Sequence, residues 1–328
     1  MHDAPPNLQH VLPDLAAATA DLARLRHSLE TVILGQPGLI GGLLTALLIG
    51  GHVLIEGPPG VAKTLAANAL ARTLGMGMKR VQGSPDLLPS DLVGTQIFHQ
   101  PTGQFHTYQG PVFTNILLVD EINRTPPKVQ SALLEAMQEQ QVTLAQQTHP
   151  LDDPFFVLAT QNPFDHEGTY PLPDAQLDRF ALKLTIGYPA PETELAVMRG
   201  EHRSVDTLTP QLDAARLKAL RQTTTRIHLS DTLARSIVAL VGLTREGPTG
   251  DVGFYLESGV SPRASLYWAA AARAHALLAG SAYVRPSDVT AVAAPVLRHR
   301  LALSFEAAAE SMTADALIAR LLELRPPA

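Results

Sequence analysis

The chain has 328 residues, 45% of them hydrophobic and 17% charged, and a net charge of −6. This is enough apolar material for about two domains with substantial cores, and the acidic balance gives no general attraction to nucleic acid or anionic lipid. Cysteine is absent, which excludes disulfides, zinc thiolates and thiol catalysis and fits a reducing, cytoplasmic setting.

Residues 1–14 are polar and Pro-containing; a flexible lead-in without the basic-then-apolar layout of a secretory signal is expected there. Helical apolar spacing starts over residues 14–30, with Leu15, Leu22, Leu25 and Leu29 on one face. Residues 38–55 then contain no Asp, Glu, Lys or Arg, a run close to the ~18-residue lower bound of a membrane span. Gly50, Gly51 and His52 interrupt it, so it reads as a buried helix to about Ile49, a turn, and a strand over 52–55. Further nearly all-apolar strands are predicted over 116–119 and 155–159, and another over 181–186. Strands without a polar face belong to a parallel sheet covered on both sides.

Two stretches break the αβ rhythm. Residues 95–108 (TQIFHQPTGQFHTY) and 141–151 (QVTLAQQTHPL) read as hairpins inserted into the α/β unit. GYPAPET at 187–193 then marks a boundary. Beyond it helices are predicted over 212–224, 231–244, 262–278, 287–298 and 307–324, with a Gly-rich loop over 246–259. The expected organisation is an α/β nucleotide-binding domain over 1–188 and a small all-helical domain over 189–328.

The chemistry gathers in four places. GPPGVAKT (57–64) follows the strand at 52–55 and opens a helix, as in a phosphate loop, with Ala62 where the general pattern has glycine. Pro58 and Pro59 lack an N–H, so the anion cradle is expected from Gly60, Val61, Ala62, Lys63 and Thr64, with negative φ at Ala62. Lys63 would reach the outer phosphates and the Thr64 hydroxyl would hold Mg2+. Asp120 and Glu121 end the apolar strand at 116–119, Asp120 suited to Mg2+ and Glu121 to polarising water. Helix capping is the other reading of that pair, although Thr125-Pro126 already offers a helix start. Asn162 follows the strand at 155–159 and could orient water or phosphate; an Asn before Pro is also an ordinary turn. Arg179 in LDRF and Arg263 in SPRASL could each stabilise phosphoryl charge or form a structural ion pair.

Taken together, VILGQ (32–36), GPPGVAKT, SPDLLPSDLVG (84–94), LLVDEINRTPPKVQSALLEAMQE (117–139), ATQNP, EGTYPLPDAQLDRF (167–180), SPRASL and VLRHR (296–300) resemble the MoxR family of AAA+ ATPases. The resemblance implies an AAA+ P-loop domain with a parallel sheet and two inserted hairpins, followed by a helical lid. It implies ATP and Mg2+, with Gly57, Gly60, Val61, Ala62, Lys63, Thr64 and Leu65 as Walker A. Asp120 and Glu121 match Walker B, Asn162 sensor 1 and Arg263 sensor 2. Arg179 matches an arginine finger acting on a neighbouring subunit's ATP, and Ile33, Leu34, Gly35 and Gln36 would line the adenine pocket. Arg124 matches a family position that helix-start packing explains equally well. Family members also carry Ala at the position of Ala62; Asp174 stands where they usually have glutamate.

The implied activity is ATP hydrolysis driving chaperone-like remodelling of partner proteins, in a ring of six subunits, with partners carrying von Willebrand factor A domains. Alternatives are a nucleic-acid motor, a magnesium-chelatase-like subunit and an ATP-binding scaffold that does not hydrolyse. The hairpins contain no Lys or Arg, which disfavours tracking a phosphate backbone. His99 and His106 lack a third metal ligand, His166-Glu167 lacks helical zinc spacing, and Trp268 reads as core.

Overall fold

The computed structural model describes residues 14–101, 103–144, 147–163, 168–247 and 250–327. The lead-in at 1–13 and His166-Glu167 therefore lie outside the described residues.

Five parallel strands form the central sheet, in the order β2-β5-β8-β1-β9. They are β1 (Val53–Glu56), β2 (Met78–Gln82), β5 (Ile116–Asp120), β8 (Phe156–Gln161) and β9 (Leu182–Thr185). β1, β5 and β8 are buried along nearly their whole length, as their unbroken apolar runs require. β2 has no such run because it is an edge strand: in MKRVQ only Val81 is buried. The two hairpins, β3 (Gly94–His99) with β4 (Gln104–Gln109) and β6 (Gln141–Leu144) with β7 (Gln147–Pro150), pair antiparallel outside the sheet.

Around the sheet lie α1 (Leu15–Glu30), α2 (Pro37–Ile49), α3 (Lys63–Leu74), α4 (Pro89–Val93), α5 (Pro127–Glu139) and α6 (Asp174–Leu177). After β9 come α7 (Pro191–Met198), α8 (Ala214–Arg226), α9 (Asp231–Leu243), α10 (Pro262–Leu278), α11 (Pro286–Leu297), α12 (Phe305–Ala309) and α13 (Ala314–Leu324). A small pairing of β10 (Leu256–Ser258) with β11 (Ala302–Leu303) sits among them. The expected helix over 307–324 is two helices, because Ser304 and Thr313 each cap a separate start through their side chains.

The charge-free α2 is buried because α10 packs on one side of it and β9 on another. A Cβ on Gly42 would lie 2.5 Å from the Leu184 side chain, so glycine lets α2 approach the sheet. One apolar cluster runs from α1, α2 and α3 through α8 to α13; a second lies on the opposite face of the sheet under α4 and α5. Trp268, fully buried, donates its indole N–H to the Val289 carbonyl at 2.8 Å and ties α10 to α11. Among the described residues no helix is long and apolar enough to cross a membrane.

Candidate nucleotide site

β1 delivers the chain to the loop between Glu56 and Lys63, and α3 starts at Lys63. At Gly57 a Cβ would sit 2.6 Å from the Ile186 carbonyl oxygen, so only glycine lets the loop leave the sheet there. Gly60 has φ +82°. Ala62 has φ +62° and ψ 19°, the left-handed region, and the expected negative φ is therefore wrong. The loop must reverse its curvature immediately before α3, and this geometry is imposed on Ala62 despite the ~1–2 kcal/mol that a Cβ costs there. The Lys63 ammonium donates to the Gly57 carbonyl at 2.7 Å and the Gln161 carbonyl at 3.4 Å, bridging the loop to the end of β8.

β5 ends beside this loop. One Asp120 carboxylate oxygen accepts from the Thr160 hydroxyl at 2.5 Å; the other accepts from Arg80 at 2.7 Å and lies 3.5 Å from the Thr64 hydroxyl. Thr160, wholly buried on β8, also accepts the Glu121 amide at 2.9 Å, so one hydroxyl orients both acidic residues. Glu121 is left-handed, with φ +56°. A short 3-10 turn, Ile122–Arg124, follows it, and the Arg124 guanidinium lies 3.1 Å from its carboxylate. α5 begins only at Pro127, with Pro126 as its cap; the Thr125 hydroxyl instead donates to the Ile122 carbonyl. Neither Thr160 nor Arg80 stands out in the sequence: a threonine and an edge-strand arginine carry no motif.

Lys63, Thr64, Leu65, Asp120, Glu121 and Asn162 line one cavity of about 350 Å3. A second, of about 500 Å3, shares Pro59, Gly60, Ala62 and Leu65 with it and adds Val32, Leu34, Gln36, Tyr188, Thr193, Val197 and His202. The pair suits a ligand with a charged end and a flat apolar end. Of the four residues expected around a base, Leu34 and Gln36 line the cavity. Ile33 does not: it is 2% exposed and belongs to the core. Gly35 turns the chain at φ +68°, where a Cβ would meet Thr193 at 2.6 Å. The wall from Tyr188 to His202 comes from α7 and its flanks, a helix short enough to be read as part of the Pro-rich boundary.

The model of the ATPase family associated with various cellular activities (AAA) matches residues 52–182, and that of the AAA lid domain matches residues 253–321. Chaperone MoxR1 of Mycobacterium tuberculosis is 43% identical over 325 residues, 98% of this chain and 85% of that protein. Protein MoxR of Paracoccus denitrificans is 34% identical over 84% of this chain and 87% of its own. A crystal structure from Cytophaga hutchinsonii superposes with a TM-score of 0.86 at 40% identity, covering 96% of this chain and 97% of that one. The chain belongs to the MoxR family of AAA+ ATPases.

In this MoxR-family chain the two candidate arginines are not at the phosphate loop. Arg179 and Arg263 share a cavity of about 160 Å3 with Gly50, His52, Gln140 and Tyr267. That cavity lies at the opening end of β1, whereas the loop lies at its closing end, and strand rise puts roughly 15 Å between them. Arg263 lies in the first turn of α10, whose cap is the Ser261 hydroxyl; α10 packs on α2, and Arg263 lines a cavity separate from the one lined by Lys63. On the β3–β4 hairpin His99 and His106 stack edge to face at 5.2 Å, and no group of three metal-ligating side chains occurs among the described residues.

Proposed function

We propose that this chain is a Mg2+-dependent ATPase that works in a ring, with each nucleotide held between neighbouring subunits. The observation that carries it is the convergence of Lys63, Thr64, Asp120, Glu121 and Asn162 on one cavity at the closing ends of β1, β5 and β8, where parallel sheets bind ligands. The residues fit a divalent cation: the Thr64 hydroxyl and the Asp120 carboxylate lie 3.5 Å apart, and Asp120 already draws a cationic Arg80. Bound there, Mg2+ would neutralise charge on the phosphates. Lys63 would exchange its carbonyl partners for phosphate oxygens, and the first turn of α3 would donate its free amides to the anion. Glu121 would orient and deprotonate the attacking water, with Asn162 fixing its position. Leu34, Gln36 and Val32 would receive the base.

Arg179 and Arg263 serve catalysis in this reading by facing the nucleotide of the next subunit, since neither reaches its own. The division into a nucleotide-binding domain over 1–188 and a lid over 189–328 belongs to the same proposal. So does chaperone-like remodelling of a partner protein, with a von Willebrand factor A partner and a six-membered ring taken from the family resemblance. The exposed Ile97, Phe98, Phe105 and Tyr108 of the first hairpin suit a polypeptide client better than a nucleic acid. The test is ATP turnover and nucleotide binding. Glu121→Gln should bind nucleotide and lose turnover, whereas Lys63→Ala should lose both; unchanged turnover in Glu121→Gln would rule out the assigned water activation.

A further inference from the structure

The segment that carries Arg179 is gripped by three consecutive lid residues. Arg298 donates to the Lys183 carbonyl at 3.2 Å and the Thr185 hydroxyl at 2.8 Å. The buried His299 donates through Nε2 to the Phe180 carbonyl at 3.0 Å. Arg300, whose side chain is 1% exposed, donates to the Asp178 carboxylate at 2.9 Å and to the carbonyls of Asp178 (3.1 Å), Phe180 (2.6 Å), Ala181 (3.2 Å) and Val296. All its N–H directions are thereby committed.

Asp178 is the point where this grip meets α10. Its second carboxylate oxygen accepts from the Ser261 hydroxyl at 2.8 Å and lies 3.9 Å from the Arg263 guanidinium. One carboxylate, adjacent in sequence to Arg179, thus holds both the buried end of α11's trailing segment and the first turn of α10. Burial disfavours the Arg300 charge and lowers its pKa, and Asp178 opposes that shift; a charge this deeply placed is retained at a desolvation cost and loses its compensation if the partner goes.

We infer that the Asp178–Arg300 pair is a latch that fixes Arg179 and Arg263 relative to each other, making the two arginines one rigid donor unit presented to the neighbouring subunit. This rests on the reading above that the arginines act across a subunit interface. Arg300 is a positioning residue in this scheme, since it contacts the arginine-bearing segment and not the nucleotide. The latch also means that the lid and the Arg179 segment move together, so a change in lid position is felt at the neighbour's site.

The test uses the full chain with Asp178→Asn, which keeps shape while removing charge, and Arg300→Lys, which keeps charge while losing the fork. Both should fold, judged by thermal melting, and bind a fluorescent ATP analogue within about twofold of the unmodified protein, because their own nucleotide sites are remote. Their kcat should fall by roughly tenfold or more with KM little changed, as misplacement of about 1 Å is enough for that. Each variant is then mixed with Lys63→Ala, which has a defective nucleotide site and sound arginines, and Arg179→Ala is mixed in parallel. Turnover above the sum of the separate proteins is expected in all three mixtures. Recovery with Arg179→Ala alone would overturn the latch; absence of recovery with Arg179→Ala would overturn the trans-acting arginines themselves. Unchanged kcat in both Asp178→Asn and Arg300→Lys, or a kcat loss matched by lost nucleotide binding, would also overturn the latch.

Discussion

The Arg124 guanidinium lies 3.1 Å from the Glu121 carboxylate across a single 3-10 turn, and Glu121 itself is held at φ +56°. The residue proposed to activate water is thus already paired in this structure, by a neighbour three positions away on the same turn. Both side chains are about a third exposed, so the pair contributes only ~0.5–1 kcal/mol. If the ion pair holds Glu121 away from water, Arg124→Gln should raise basal turnover by about two- to fivefold, with KM for ATP unchanged. A fall in turnover would instead assign Arg124 to orienting the carboxylate productively.

Arg80 reaches from the edge strand β2 to Asp120, at 2.7 Å. It occupies an oxygen that the proposed cation site requires, so the two positive charges compete. Removing the guanidinium by Arg80→Ala should lower the Mg2+ concentration for half-maximal turnover, by about two- to fivefold given that the Arg80 side chain is half-exposed. A Mg2+ titration of ATP turnover reads this directly. A higher Mg2+ requirement would mean that Arg80 serves to aim Asp120.

Ala62 is strained where a general phosphate loop has glycine. Ala62→Gly relieves the left-handed penalty of ~1–2 kcal/mol, but it gives back ~0.4–1 kcal/mol through the freer unfolded chain. A slight gain in melting temperature with unchanged nucleotide affinity is the expected outcome. Ala62→Val should melt earlier and bind nucleotide more weakly, because a β-branched residue tolerates this region least. Equal behaviour of Val and Gly would show that the backbone at 62 is free to change.

The sequence made the interior of the site legible and its surroundings much less so. β1, β5 and β8 announce themselves by apolar runs that end in reactive residues, and the two hairpins by polar alternation around a turn. β2 is silent because an edge strand buries only Val81, and with it goes any sign of Arg80. Thr160 is silent because its importance lies in two hydrogen bonds to a neighbouring strand, a relation of register rather than spacing. The positive φ at Ala62 is not legible because alanine ordinarily avoids that region; loop closure overrides the preference here. The place of Arg263 depends on α10 packing across α2, a contact between segments more than 200 residues apart that no local pattern encodes.

His52 adds a pH dependence remote from the nucleotide. Its Nε2–H donates to the Met137 carbonyl at 3.1 Å and its Nδ1 accepts the Val157 amide at 3.0 Å, which joins the start of β1 to α5 and β8 in a single neutral tautomer. Burial lowers its pKa from 6.5 to about 4, assisted by the charge of Arg221 and opposed by the Met137 bond. His299 is lowered well below 6.5 too, chiefly by burial and then by Arg300. Below pH 6.5 the unfolded chain therefore binds protons that the folded one refuses. Stability is full above that value and is lost as pH falls toward 4, by about 3 kcal/mol from His52 alone. Urea unfolding followed by the emission of the single tryptophan, Trp268, at pH 7 and at about pH 4.5 measures this. His52→Gln should be less stable at pH 7, because it repacks two buried bonds, yet lose less on acidification than the unmodified chain. An identical pH slope in the two proteins would mean that His52 is not a source of the acid sensitivity.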